Sequence, residues 1–196
     1  ALWRNAFSKM EIRNVEECFK FRLLRKIKPD AEKTKRSLEI AKKRLNETDE
    51  AIGLKIFQYA ILEAYMAMFH AARALLYRDG IQEKSHFAVF IYLKEKYSSK
   101  IPVHILNLLN IHRIERHEAM YGLEFSPNEQ DAAVALEDAK VFVKEIEKQI
   151  WQQSGGIEFN ISSPKQLSEV LFEKLGLQIK NHKKTSGGAK STKESE

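Results

Sequence analysis

The sequence has one cysteine, Cys18, in 196 residues. A single thiol excludes a disulfide framework within the chain and a cysteine-ligated zinc site. It fits a reducing, cytoplasmic setting. Glycine and proline are scarce, at 8 and 4, too few for the turns of an all-β protein. No apolar run approaches the roughly 20 residues of a membrane-spanning helix, so no membrane partner is expected. Residues 1–9 have no long apolar core and no small-residue cleavage site, and they make a poor signal peptide. Histidines at metal-ligand spacing are also missing. His104, His112 and His182 have no ligand partners in the sequence. His112 and His117 stand five apart, not the four apart of a helical zinc pair. No metal and no cofactor is expected.

Apolar residues make up 43% and charged residues 31%, which is the balance of a soluble globular domain and not of a disordered chain. The net charge is +6, and its distribution is uneven. Residues 1–29 hold 8 basic and 3 acidic side chains, and residues 176–196 hold 5 and 2. The middle of the chain is close to neutral, so the basic ends are the parts suited to phosphate backbones.

Residues 1–10 read as a tag-like or upstream leader, with Met10 opening a more natural start. From Asp30, an N-cap after Pro29, the pattern is helical: Leu38, Ala41 and Leu45 recur at helical spacing. Asn46 to Glu50 reads as a polar break. The strongest helix is expected over 51–79, with Leu54, Phe57, Ile61, Ala64, Met68, Ala71 and Leu75 on one stripe and Gly80 at a left-handed stop. Ser85 is placed as the cap of a third helix ending near Tyr97. A fourth covers about 103–121, with Ile105, Leu108, Leu109 and His112 on one stripe. Ser126-Pro127 is read as the start of a fifth, with Ala132, Leu136, Ala139, Val143, Ile146 and Ile150 on one face. No stretch up to this point alternates with period two. The fold expected is all-α: an up-and-down bundle of about five helices. A short C-terminal helical appendage follows, started by Ser163-Pro164-Lys165-Gln166. Residues 178–196 are expected to be a disordered basic tail.

Two strings carry a family resemblance. One is Ala64-Tyr-Met-Ala-Met-Phe-His-Ala-Ala-Arg73, followed by Gly80 and Ser85-His86. The other is Arg116-His-Glu-Ala-Met-Tyr121-Gly122. Together they resemble the HEPN superfamily of prokaryotic helical bundles over about residues 11–152. The resemblance implies a toxin–antitoxin or defence module, RNA as target, a homodimer, and a nucleotidyltransferase-type protein partner. It also implies metal-independent RNA cleavage by an Arg followed, after four to six residues, by a His on one late helix. This chain has no His at that distance from Arg113 or Arg116, so a degenerate ribonuclease is the enzymatic form of the reading.

The residues themselves offer a cluster. Arg113, Arg116, His117 and Tyr121 fall at i, i+3, i+4 and i+8 on one broad helix face. They suit a phosphate site with His117 as proton carrier. The other arrangement open at this point has Arg113 and Arg116 paired with Glu115 or Glu118, and His117 at the surface or in a dimer contact. His70 and His86 are expected to be satisfied core or interface residues.

A second resemblance covers about residues 145–196. Phe159-Asn-Ile-Ser-Ser-Pro-Lys-Gln-Leu167 is similar to the thumb of family A DNA polymerase I. It implies DNA-backbone contacts by Lys183, Lys184, Thr185, Ser191 and Thr192. The polymerase's metal-binding aspartates are absent, so no polymerase catalysis is implied. The expected division is 1–10 leader, 11–152 bundle, and 153–196 thumb-like fragment with its tail.

Overall fold

The computed structural model describes residues 12–152. The chain runs α1 (Val15–Lys20), β1 (Leu24–Lys26), α2 (Ala31–Gly53), α3 (Phe57–Arg78), β2 (Ile81–Glu83), α4 (His86–Tyr97), α5 (Val103–Tyr121) and α6 (Glu129–Gln152). The fold is an all-α bundle built from the five long helices. Strands β1 and β2 form a small antiparallel ribbon, with Leu24 opposite Glu83 and Lys26 opposite Ile81. The expected C-terminal appendage and tail lie outside the described residues.

Helix α3 is the centre. Ala60, Ala64, Ala67, Ala71, Ala72 and Ala74 are all fully buried, and their small side chains let neighbouring backbones approach closely. Larger side chains, Ile61, Met68, Leu75 and Leu76, fill the space between. Helices α2, α5 and α6 pack against α3. The α6 face expected from the sequence is buried from Ala132 to Ile150.

Polar residues tie the helices where burial would otherwise leave them unpaired. Arg44 on α2 reaches Glu63 on α3 at 2.7 Å. The buried Arg78 donates to the Gln149 carbonyl of α6 at 3.1 Å and to Tyr97 of α4 at 2.5 Å. Tyr92 and Tyr97 both donate to Asp79. His112 sits between Glu115, 2.7 Å away on its own helix, and Asp138, 2.9 Å away on α6. Burial opposes its protonation, but the two carboxylates outweigh burial and its pKa rises.

Three sequence expectations are corrected. Asn46 to Glu50 does not break the chain: α2 continues through it. Thr48 Oγ1 bonds the Arg44 carbonyl, and Arg44 pairs with Glu47. The break falls instead at Leu54–Ile56, where Lys55 takes φ +59°. Leu54, expected on the core stripe, is 72% exposed in that turn. Helix α6 starts at Glu129, not at Ser126-Pro127. Asn128 Oδ1 accepts from the Asp131 amide while Asp131 accepts from the Asn128 amide, a reciprocal cap. The two strands were invisible because three residues each are too few to show a period.

Gly80 makes the turn from α3 into β2 at φ +72°. A Cβ there would lie 2.8 Å from the Ile27 carbonyl oxygen and 3.1 Å from Pro29 Cδ. Gly80→Ala is expected to destabilise the fold by about 1–3 kcal/mol, from backbone strain and crowding together. Urea denaturation of the two proteins measures it, and an unchanged midpoint would refute the strain.

Candidate cationic site on α3, α4 and α5

Every fourth residue of α3 from Tyr65 forms one row: Tyr65, Phe69, Arg73 and Tyr77. Helical residues four apart are neighbours, and this row is where α4 and α5 place their polar groups. Ser85 caps α4 by accepting from the Ala88 amide at 3.4 Å. That cap fixes His86 as the first helical residue. Its ring lies flat on Phe69, with centroids 3.9 Å apart and planes 7° apart. Its Nδ1 is 2.6 Å from the Tyr65 hydroxyl.

Two arginines of α5 close over these rings. The Arg116 guanidinium is 5.6 Å from the Tyr65 ring centre. That of Arg113 is 5.2 Å from Phe87, and its Nε donates to Asn110 at 3.0 Å. Such contacts hold a cation without neutralising it. Neither of the two arrangements left open by the sequence forms whole: His117 is at the surface, as the second has it, but the arginines do not take the acids. Glu115 is engaged by His112, and Glu118 lies 3.6 Å from His117. Among the described residues neither carboxylate forms an ion pair with Arg113 or Arg116. The Arg116 Nε is buried with no hydrogen-bond partner. Arg73 does have a carboxylate, Glu83, at 2.7 Å.

The electrostatics follow from this surplus of positive charge. Burial lowers the His86 pKa, and Arg116, Arg73 and Arg113 lower it further, to about 4. Burial followed by Arg73, Arg44 and His86 brings His70 to about 4 as well. His70 Nδ1 is buried without a partner. Burial raises the Tyr65 hydroxyl, against the pull of Arg116 and Arg113. Burial also makes the Arg113 guanidinium easier to deprotonate than usual. At neutral pH the site therefore holds neutral imidazoles beside three guanidiniums and one carboxylate. Chemically, it is suited to holding an anion.

The four α5 residues singled out by the sequence divide. Arg113 and Arg116 turn to the rings of α3 and α4. His117 and Tyr121 form a separate pair, ring centres 5.1 Å apart, both exposed. At 100° per residue, Arg116 and Tyr121 stand about 140° apart around the helix. Sequence reasoning assigned Tyr65, Phe69 and Arg73 to a family string and His86 to packing. The signal that marks them is the i, i+4 row of rings and arginine. Lys183, Lys184, Thr185, Ser191 and Thr192 lie outside the described residues. Among the described residues no three His, Cys, Asp or Glu side chains are disposed to hold a metal ion. None of the described helices is long and apolar enough to cross a membrane.

Comparison with known proteins gives the architecture a name. Residues 34–149 match the HEPN domain. The chain belongs to the HEPN domain family. Residues 132–196 match DNA polymerase family A, so a HEPN bundle and a polymerase-like stretch share one chain and overlap on α6. The chain is similar to the protein named "Putative toxin MJ0605" from Methanocaldococcus jannaschii. The two are 29% identical over 117 residues, covering 57% of this chain and 84% of that protein. The HEPN match begins within α2, so α1 and the ribbon strand β1 lie outside the HEPN segment; β1 pairs with β2, and α1 packs on α4, where the Val15 amide donates to Glu95 at 2.8 Å.

The His86 pKa tests the cationic site directly. Arg116→Gln removes one of the charges that depress it, so the pKa is expected to rise from about 4 toward the ordinary 6.5. Imidazole NMR titration reads this, and an unmoved pKa would show that Arg116 does not act on the ring. Unfolded chain takes up the proton near pH 6.5 while the native state resists it. The stability contributed by neutral His86 is therefore full above that pH and is lost as pH falls toward 4.

Proposed function

We propose that this chain is a toxin-type HEPN protein that binds single-stranded RNA, with Arg113 and Arg116 holding a phosphodiester. The observation behind this reading is two partly buried arginines on α5 without carboxylate partners, placed over aromatic rings. A phosphate oxygen would complete the hydrogen bonding of the buried Arg116 Nε. The reading is binding first. Arg116 has no histidine four to six residues further on, and His117 is directed away from the rings. Cleavage in the presence of chelator is expected to stay at background for wild type and Arg116→Ala alike.

Fluorescence anisotropy with a labelled oligoribonucleotide tests the binding. Arg113→Ala with Arg116→Ala is expected to weaken affinity tenfold or more. It should also reduce the log–log salt dependence by about 0.7 for each phosphate no longer held. Equal binding by wild type and the variant would remove the reading. We place the polymerase-like fragment at 153–196 and assign to it duplex-backbone contacts by Lys183, Lys184, Thr185, Ser191 and Thr192. Deleting 153–196 is therefore expected to abolish salt-sensitive duplex DNA binding while leaving RNA affinity intact.

A second reading, as an interaction module, is favoured by the outer seam of α5. Val103, Ile114 and Tyr121 recur there on one stripe, with Ile111 beside them, and all four are exposed. An apolar seam of this kind suits a homodimer or a nucleotidyltransferase-type partner. A homodimer would bring His117 and Tyr121 of two protomers toward each other. Sedimentation is expected to give twice the monomer mass for the wild type and the monomer mass for Ile111→Glu with Ile114→Glu. A monomeric wild type would exclude self-association through this seam.

A further inference from the structure

The row on α3 continues past the cationic site. Arg73 lies 5.6 Å from the Phe69 ring and 5.2 Å from the Tyr77 ring, between the two. Beyond Tyr77 a cavity of about 290 Å³ opens between α2 and α3, lined by Glu32, Lys33, Arg36, Ser37, Ile40, Arg73 and Tyr77. Its size is at the small end of ligand sites. Three cations and one carboxylate face it. The Lys33 ammonium is 5.8 Å from the Tyr77 ring, so three cations are interleaved with three rings from Arg116 through Tyr65, Phe69, Arg73 and Tyr77 to Lys33.

The rings in this row are buried, so nucleobases have no face to stack on. Lys33, with 53% of its side chain exposed, and Arg73, with 24%, are the cations of the row that a strand would meet. Carboxylates are present too: Asp30 pairs with Lys33 at 3.0 Å and Glu83 with Arg73 at 2.7 Å. Glu83 lies against the Arg73 Nε, and the Tyr77 hydroxyl takes Nη2. From Tyr65 to Tyr77 the axis of α3 advances about 18 Å at roughly 1.5 Å per residue. A stacked strand rises about 3.4 Å per nucleotide, so the row spans roughly five nucleotides, fewer if the strand is stretched.

We infer that the α2–α3 cavity is a second phosphate subsite for the RNA strand held at Arg113 and Arg116, the strand running along α3 from one to the other. This inference rests on the RNA-binding reading above. The strand is gripped by its backbone at two separated points, so recognition is tolerant of sequence and sensitive to length.

Binding of a dinucleotide and a hexanucleotide of RNA to the full chain, followed by anisotropy, tests it. The hexanucleotide is expected to bind at least tenfold tighter than the dinucleotide. Lys33→Gln with Arg36→Gln is expected to remove most of that gain, weakening the hexanucleotide about tenfold and the dinucleotide less than twofold. The same pair should lower the salt slope of the hexanucleotide by about 1.4, at roughly 0.7 per phosphate. Circular dichroism of the variant checks that α2 is intact, and Arg36→Lys, which keeps the charge, should retain most of the affinity. An unchanged hexanucleotide affinity overturns the inference, as does equal weakening of both lengths. If Arg113→Ala with Arg116→Ala weakens both RNAs while the cavity variant weakens neither, the RNA-binding reading stands and the second subsite falls. If the wild type binds neither RNA, both fall.

Discussion

The burial of α3 governs the rest of the molecule. A helix covered on most sides must be lined with small residues where partners approach and must give each polar side chain a partner. Its alanines meet the first condition. Glu63 and Arg78 meet the second through Arg44 on α2 and the Gln149 carbonyl on α6. Tyr65 and Arg73 are answered by His86 and Glu83, which belong to the α4 entry and the ribbon. The candidate site thus follows one row of the central helix whose rings are buried and whose Arg73 alone is partly exposed.

The charge of that site could not be read from the total. The +6 of the whole chain is concentrated in its ends, and the bundle is almost neutral. Neutrality of a sum hides separation of its parts. Most acidic side chains on α2, α3, α5 and α6 are spent on close partners: Glu47 and Glu63 on Arg44, Glu115 and Asp138 on His112, Glu147 on Lys42. The arginines over Tyr65 and Phe87 are left with rings for company. A locally positive surface therefore arises within a near-neutral domain.

Much of the architecture was legible because it rests on local rules. Asp30 and Ser85 cap the helices they were expected to cap, and Gly80 adopts the left-handed turn. The apolar stripe of α6 is buried as its spacing implied. The errors occur where a local rule was overridden. Asn46 to Glu50 is polar enough for a loop, yet Glu47 and Thr48 bond back to Arg44 one turn earlier along α2. Ser126-Pro127 has the form of a helix start, but Asn128 with Asp131 makes the better reciprocal cap. The site was half legible. Arg113 and Arg116 stand out by spacing on one helix, whereas the approach of His86 to Phe69 depends on how α4 packs on α3, which no spacing encodes.

The ribbon has a consequence for how the chain is made. Strand β1 leaves the ribosome more than fifty residues before β2, its only partner among the described residues. Helices α2 and α3 are neighbours in sequence and can pair at once, whereas the ribbon must wait for that hairpin to bring its ends together. A nascent strand in this position is open to pairing with the wrong chain. Leu24-Arg25-Lys26 is three residues long and carries two positive charges, so copies on neighbouring ribosomes repel each other until Ile81 to Glu83 arrives.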